Sequence, residues 1–206
     1  MLTTSKAVRY IGAIAALILI SLLSSVNGLS LQHSISNFGD GFLWGVADPV
    51  LHFDSLVNTL AIGYIASGMM QAAFITGSLI VATVLGGLMS LSHMNLPGAE
   101  IAIAVASLVL SILLVTPNRP HWFILAVLGA IAGLSLGYLD SQSIIQVGGI
   151  SQFTYLLGMV LSLYAVVTSA KKIGQAMNQE TMSSVYRFVG LAILGISIVC
   201  LGNVIG

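Results

Sequence analysis

The residues able to do chemistry in this chain are few. Asp48 and His52 stand four apart, with Asp54 two residues further on, in an otherwise apolar stretch. Glu100 follows Pro97-Gly98, and Asp140 closes another apolar run. Carboxylate with imidazole suits a divalent transition metal, whereas carboxylates alone also suit a proton path. Asp48 and His52 share one face if their stretch is helical, or form an exposed loop pair if it is not. Asp48-Pro49 favours a turn or a re-entrant segment. Asp54 precedes Ser55-Leu56-Val57, so it serves either as the N-cap of a helix or as a ligand. Glu100 falls in the first turn of a helix, where an anion also complements the dipole. Asp140 falls at a helix C-terminus, where the dipole disfavours it. It is therefore either solvated beside Ser141 and Gln142 or stabilised by a donor or a bound cation. No Ser or Cys has a recognisable base and orienting acid, so an enzyme is not indicated. Cys200 is the only cysteine, which excludes an internal disulfide and a multi-thiolate metal site.

The elements that position these residues follow from composition. Of the 206 residues, 57% are hydrophobic and 6% charged, with a mean hydropathy of +1.06. A soluble domain carries about 25% charged residues, so most of this surface must face lipid. Zero net charge gives no basis for binding nucleic acid. The expected fold is all-α, a polytopic transmembrane bundle of six core helices preceded by an N-terminal hydrophobic segment. The core helices are expected at about 54–70, 73–92, 98–116, 121–140, 149–170 and 186–205, with a bend near Gly68 to Gln71. Residues 1–28 combine Lys6 and Arg9 with an apolar run from Ile11 to Val26 and a small-residue end. That pattern fits a signal peptide or a signal-anchor helix, and the mass of the mature chain separates the two. Residues 29–206 form the transmembrane domain.

With the N-terminus inside, all six basic residues (Lys6, Arg9, Arg119, Lys171, Lys172 and Arg187) fall on the cytoplasmic side. Glu180 joins them. Asp40, Asp48, Asp54, Glu100 and Asp140 fall on the opposite side with His33, His52 and His93, an outward field attractive to cations. Gly129, Gly133 and Gly137 recur every fourth residue, a stripe that allows close helix packing, and Gly86 and Gly87 have a similar place earlier. His121-Trp122, Tyr155, Tyr164 and Tyr186 fit interfacial anchoring.

The stretch from Gly41 to Leu56 (GFLWGVADPVLHFDSL) resembles the HupE/UreJ family of bacterial membrane proteins, which carries a pattern close to G-F-x-x-G-x-x-H-P-x-x-G-x-D-H-L. Leu96 to Glu100 is similar to the family's P-x-x-E helix start, and Leu136 to Asp140 falls at its H-G-x-A-H-G-x-E motif. Pro49, Asp54, Pro97 and Glu100 match. The family's first His is Asp48 here, its Gly is His52, and the His after the Asp is Ser55. In the later motif its histidines are Leu136 and Asp140, and its Glu is Ser143. The resemblance implies a nickel- or cobalt-type permease in a bacterial inner membrane, or in a thylakoid or other internal membrane. Its partners would be the lipid bilayer, a divalent cation and other membrane subunits, with no permanently bound cofactor. Asp48, His52, Asp54, Glu100 and Asp140 are the expected ligands, Asp54 and Glu100 foremost. The alternative is a subunit of a larger membrane complex that keeps the fold and has lost the site.

Overall fold

The computed structural model describes residues 37–116, 120–145 and 149–176, with residues 190, 191, 194, 195, 197 and 198. Expectations for residues 1–28, His33, Arg119, Glu180, Tyr186, Arg187 and Cys200, and for most of the last helix, lie outside the described residues. Six helices are delimited among the described residues: α1 (Phe38–Leu51), α2 (Phe53–Ala66), α3 (Ala72–Leu91), α4 (Ala99–Val115), α5 (Trp122–Ser141) and α6 (Gly149–Ala176). A 3-10 turn, Gln142–Ile144, extends α5. The described residues contain no strand. Helices over Ala72–Leu91, Trp122–Ile144 and Gly149–Gln175 are long and apolar enough to cross a membrane. They carry apolar side chains outward as well as inward. Phe74, Val81, Leu85 and Leu88 are exposed along α3, as a lipid-facing helix requires.

Glycine decides how closely these helices approach. α3 and α5 run side by side in the same direction, Gly133 against Leu79 and Thr83, and Gly137 against the backbone of Thr83. Gly86 meets the backbone of Leu134 from the other side. The expected small-residue stripe thus packs backbone on backbone, where dispersion contacts replace the hydrophobic effect as the source of helix association in lipid. Gly129, by contrast, has room, with its nearest neighbour 3.6 Å from where a methyl group would sit. Inside, Ile62, Ile75, Leu79, Leu110, Leu125 and Val167 join α2, α3, α4, α5 and α6 in one apolar core.

α1 and α2 lie end to end along α6. Gly41 lies against Ser151 and Thr154, Gly45 against Tyr155, Gly63 against Val167 and Ala170, and Gly174 against Ser67. Both helices therefore descend along α6 in order, 14 residues each beside its 28. This corrects the turn or re-entrant segment expected at Asp48-Pro49. That stretch is helical through Pro49 and breaks only at His52, whose backbone is extended (φ −79, ψ 114). Pro49 sits in the last turn of α1, where it forfeits a ladder hydrogen bond, and the helix ends two residues later. Asp54 is corrected as well. His52 occupies the N-cap position of α2, and Asp54 lies in the first turn. Glu100 lies in the first turn of α4, behind an N-cap glycine with φ +81.

Gly137→Val should destabilise the bundle by about 1–3 kcal/mol or more, because the added carbons overlap the Thr83 carbonyl and overpack the seam. Gly77→Ala, where nothing lies within 4 Å of the added methyl, should be neutral or stabilising by up to about 1 kcal/mol. Thermal unfolding in detergent checks both; equal losses would contradict the packing account.

Candidate functional site

The break between α1 and α2 faces the end of α5. His52 Nδ1 lies 3.4 Å from Asp140 Oδ1, and Ser55 Oγ donates to Asp140 Oδ2 at 3.3 Å. Both carboxylate oxygens of Asp140 are thus turned to the junction of α1 and α2. The His52 side chain is 53% exposed and that of Asp140 only 9%, so the pair leads from an exposed ring to a largely buried carboxylate. Asp48 and Asp54 both interact electrostatically with Asp140. Asp54 also interacts with His52.

Asp48, one turn before the break, is buried. The Tyr155 hydroxyl donates to its Oδ2 at 2.6 Å and also lies 3.1 Å from the backbone oxygen of Asp140. A phenol has one hydrogen, which these two acceptors share or exchange. One side chain of α6 thereby ties α1 to α5 where both carboxylates gather. The backbone N–H of His52 donates to the Asp48 carbonyl at 2.9 Å, so the last turn of α1 fixes Asp48 and His52 relative to each other.

The charge in this group is one-sided. Three carboxylates face one imidazole. The described lysines, Lys171 and Lys172, are sixteen residues or more beyond Tyr155 on α6, about 24 Å away at 1.5 Å per residue. A cation arriving from the His52 side would meet oxygen donors and one ring nitrogen, a donor set for divalent metals.

Of the five expected site residues, the structure gathers Asp48, His52 and Asp140, with Asp54 exposed at the edge of the group. Glu100 is exposed on α4 and is not drawn into it. Among the described residues no three His, Cys, Asp or Glu side chains form a ready-made metal-holding group. Two participants were not anticipated. Ser55, at the position of a family histidine, contacts Asp140 directly. Tyr155, expected as an interfacial anchor, is fully buried instead. Its place six residues into α6, where a span leaves the interface, is the one signal that pointed inward.

The family model of the HupE / UreJ protein matches residues 11–200, and the chain belongs to that family. With its long apolar helices, this marks a membrane protein. No curated protein matches it, and no solved structure does.

Tyr155→Phe should lower stability by about 1–3 kcal/mol, because it takes a donor from a buried carboxylate. Tyr164→Phe, on the exposed face of α6, should leave the unfolding temperature unchanged. Equal behaviour of the two variants would remove the Asp48–Tyr155 bond from the account.

Proposed function

We propose that this HupE/UreJ-family protein is a permease for a divalent transition-metal cation of the nickel or cobalt type. Asp140 and His52 take the ion at the break in the α1–α2 span. The observation that carries this reading is the convergence of Asp140, His52 and Ser55 at that break. Asp48 and Asp54 add negative potential around it. A charged group at membrane depth is costly and marks substrate or ion pathways. Broken spans are also where transporter helices place such sites, since the interrupted backbone there lines a polar cavity. Two protein ligands, completed by water or by a side-chain rotation of Asp48 or Asp54, suit a substrate that must be released as well as bound. The ion is cargo, and with no nucleotide-binding motif in the sequence its movement is gradient-driven or coupled to another protein. The setting is a bacterial inner membrane or an equivalent internal membrane, with residues 1–28 as leader or anchor.

A second reading, a non-transporting subunit of a larger membrane complex, draws on two observations. Glu100 stands apart, and no three-ligand group is assembled among the described residues.

Nickel and cobalt accumulation in expressing cells separates the two. Asp140→Asn and His52→Ala should each lower uptake by about tenfold, equivalent to about 1.4 kcal/mol. Glu100→Ala should stay within about twofold of wild type, since its side chain is outside the group. Uptake by wild type no greater than in cells lacking the protein would favour the subunit; equal uptake by wild type and Asp140→Asn would sink the site.

A further inference from the structure

One turn below Ser55 on α2, Asn58 is fully buried. Its Nδ2 donates to Ser107 Oγ on α4 at 2.7 Å. Its Oδ1 is buried and has no hydrogen-bond partner. In this arrangement the Ser107 hydroxyl gives its single hydrogen to the Ile103 carbonyl at 2.8 Å and accepts from Asn58 Nδ2, which leaves the amide oxygen over.

A carbonyl oxygen without a partner in an apolar interior costs about 1–3 kcal/mol. Two serine hydroxyls, Ser90 Oγ and Ser141 Oγ, also lack a partner. A helical serine, though, reaches the carbonyl four residues back by rotating one bond. Asn58 has no such recourse, because its other end is held across the α2–α4 gap. Its position is also informative. Residues three apart on a helix are neighbours on one face, about 5–6 Å between β-carbons, so Asn58 stands directly beyond Ser55. Ser55 is itself in contact with Asp140. The series Asp140, Ser55, Asn58 thus runs inward from the exposed His52.

We propose that the Asn58 amide oxygen is a second, deeper station for the cation collected at Asp140, taken there in partly hydrated form between α2 and α4. The inference rests on the permease reading. A neutral carbonyl oxygen ligates or hydrogen-bonds a hydrated divalent ion without holding it as a carboxylate would, which suits a point the ion must leave. The rim site and the inner station therefore have separate signatures: Asp140 governs capture, and Asn58 governs passage.

Purified full-length protein, reconstituted in liposomes with external Ni²⁺ as the probe, tests this. Asn58→Leu and the smaller Asn58→Ala should each slow Ni²⁺ uptake by about tenfold. Both should keep the rise in unfolding temperature that Ni²⁺ gives wild type in detergent, since capture at Asp140 is untouched. Ser107→Ala, which breaks the bond between α2 and α4 but leaves the amide oxygen, should stay within about twofold of wild type. Uptake by both Asn58 variants at half the wild-type rate or better would overturn the station. So would Ser107→Ala falling as far as they do, which would make the bond between the helices the only role of Asn58. If wild type neither binds nor takes up Ni²⁺, the permease reading fails, and this inference fails with it.

Discussion

A carboxylate held inside an apolar bundle must find its donors within the protein, because lipid offers none. Asp48 finds the Tyr155 hydroxyl at 2.6 Å, and Asp140 finds Ser55 and His52. Those donors come from α6 and from the α1–α2 junction, so satisfying two acids brings four helices to one place. The apolar packing is compatible with this arrangement but does not require it. Leu, Ile and Val fill the space between helices in many registers, whereas a short hydrogen bond to a buried acid admits few. The polar group sets the register, and the glycine seams let the backbones close around it.

The break between α1 and α2 has a physical logic of its own. An unbroken helix of 29 residues from Phe38 to Ala66 would present only side chains at this level. The interruption at His52 sets an extended residue, with its ring free of the helix surface, opposite the end of α5. Pro49 and the glycines of α1 contribute differently. Gly41 and Gly45 let α1 lie against the backbone of α6, and Pro49 withholds one N–H just before the helix stops. In sequence these features resemble a loop. In the folded chain they make a short helix that must end where it does.

The helices were largely legible in the sequence. Runs placed at about 73–92, 98–116 and 121–140 form Ala72–Leu91, Ala99–Val115 and Trp122–Ser141, because charge-free apolar length is a direct physical requirement of crossing lipid. The bend expected near Gly68 to Gln71 separates Ala66 from Ala72. Harder to read were features decided by distant partners. Asp48-Pro49 resembles a turn locally, and only the packing of Gly45 on Tyr155 shows why helix prevails. Asp54 and Glu100 both match the family pattern, yet their side chains stand exposed while Asp140 and Ser55, both departures from it, touch. Tyr155 has the composition of an interfacial anchor and the location of a core residue. Nothing local distinguishes those roles; the partner, 107 residues earlier in the chain, does.

Asp48, Ser55 and Asp140 stand where the family pattern that the sequence resembles carries histidines. Oxygen donors dominate the group, and His52 is its one imidazole. Such a donor set holds a borderline ion such as Ni²⁺ less firmly than an imidazole-rich one would. X-ray absorption at the nickel edge, on purified protein carrying bound Ni²⁺, tests this most directly. An oxygen-rich shell with a single imidazole contribution, lost in His52→Ala, is the expected result. A shell of several imidazoles, or a spectrum unchanged by His52→Ala, would contradict the account.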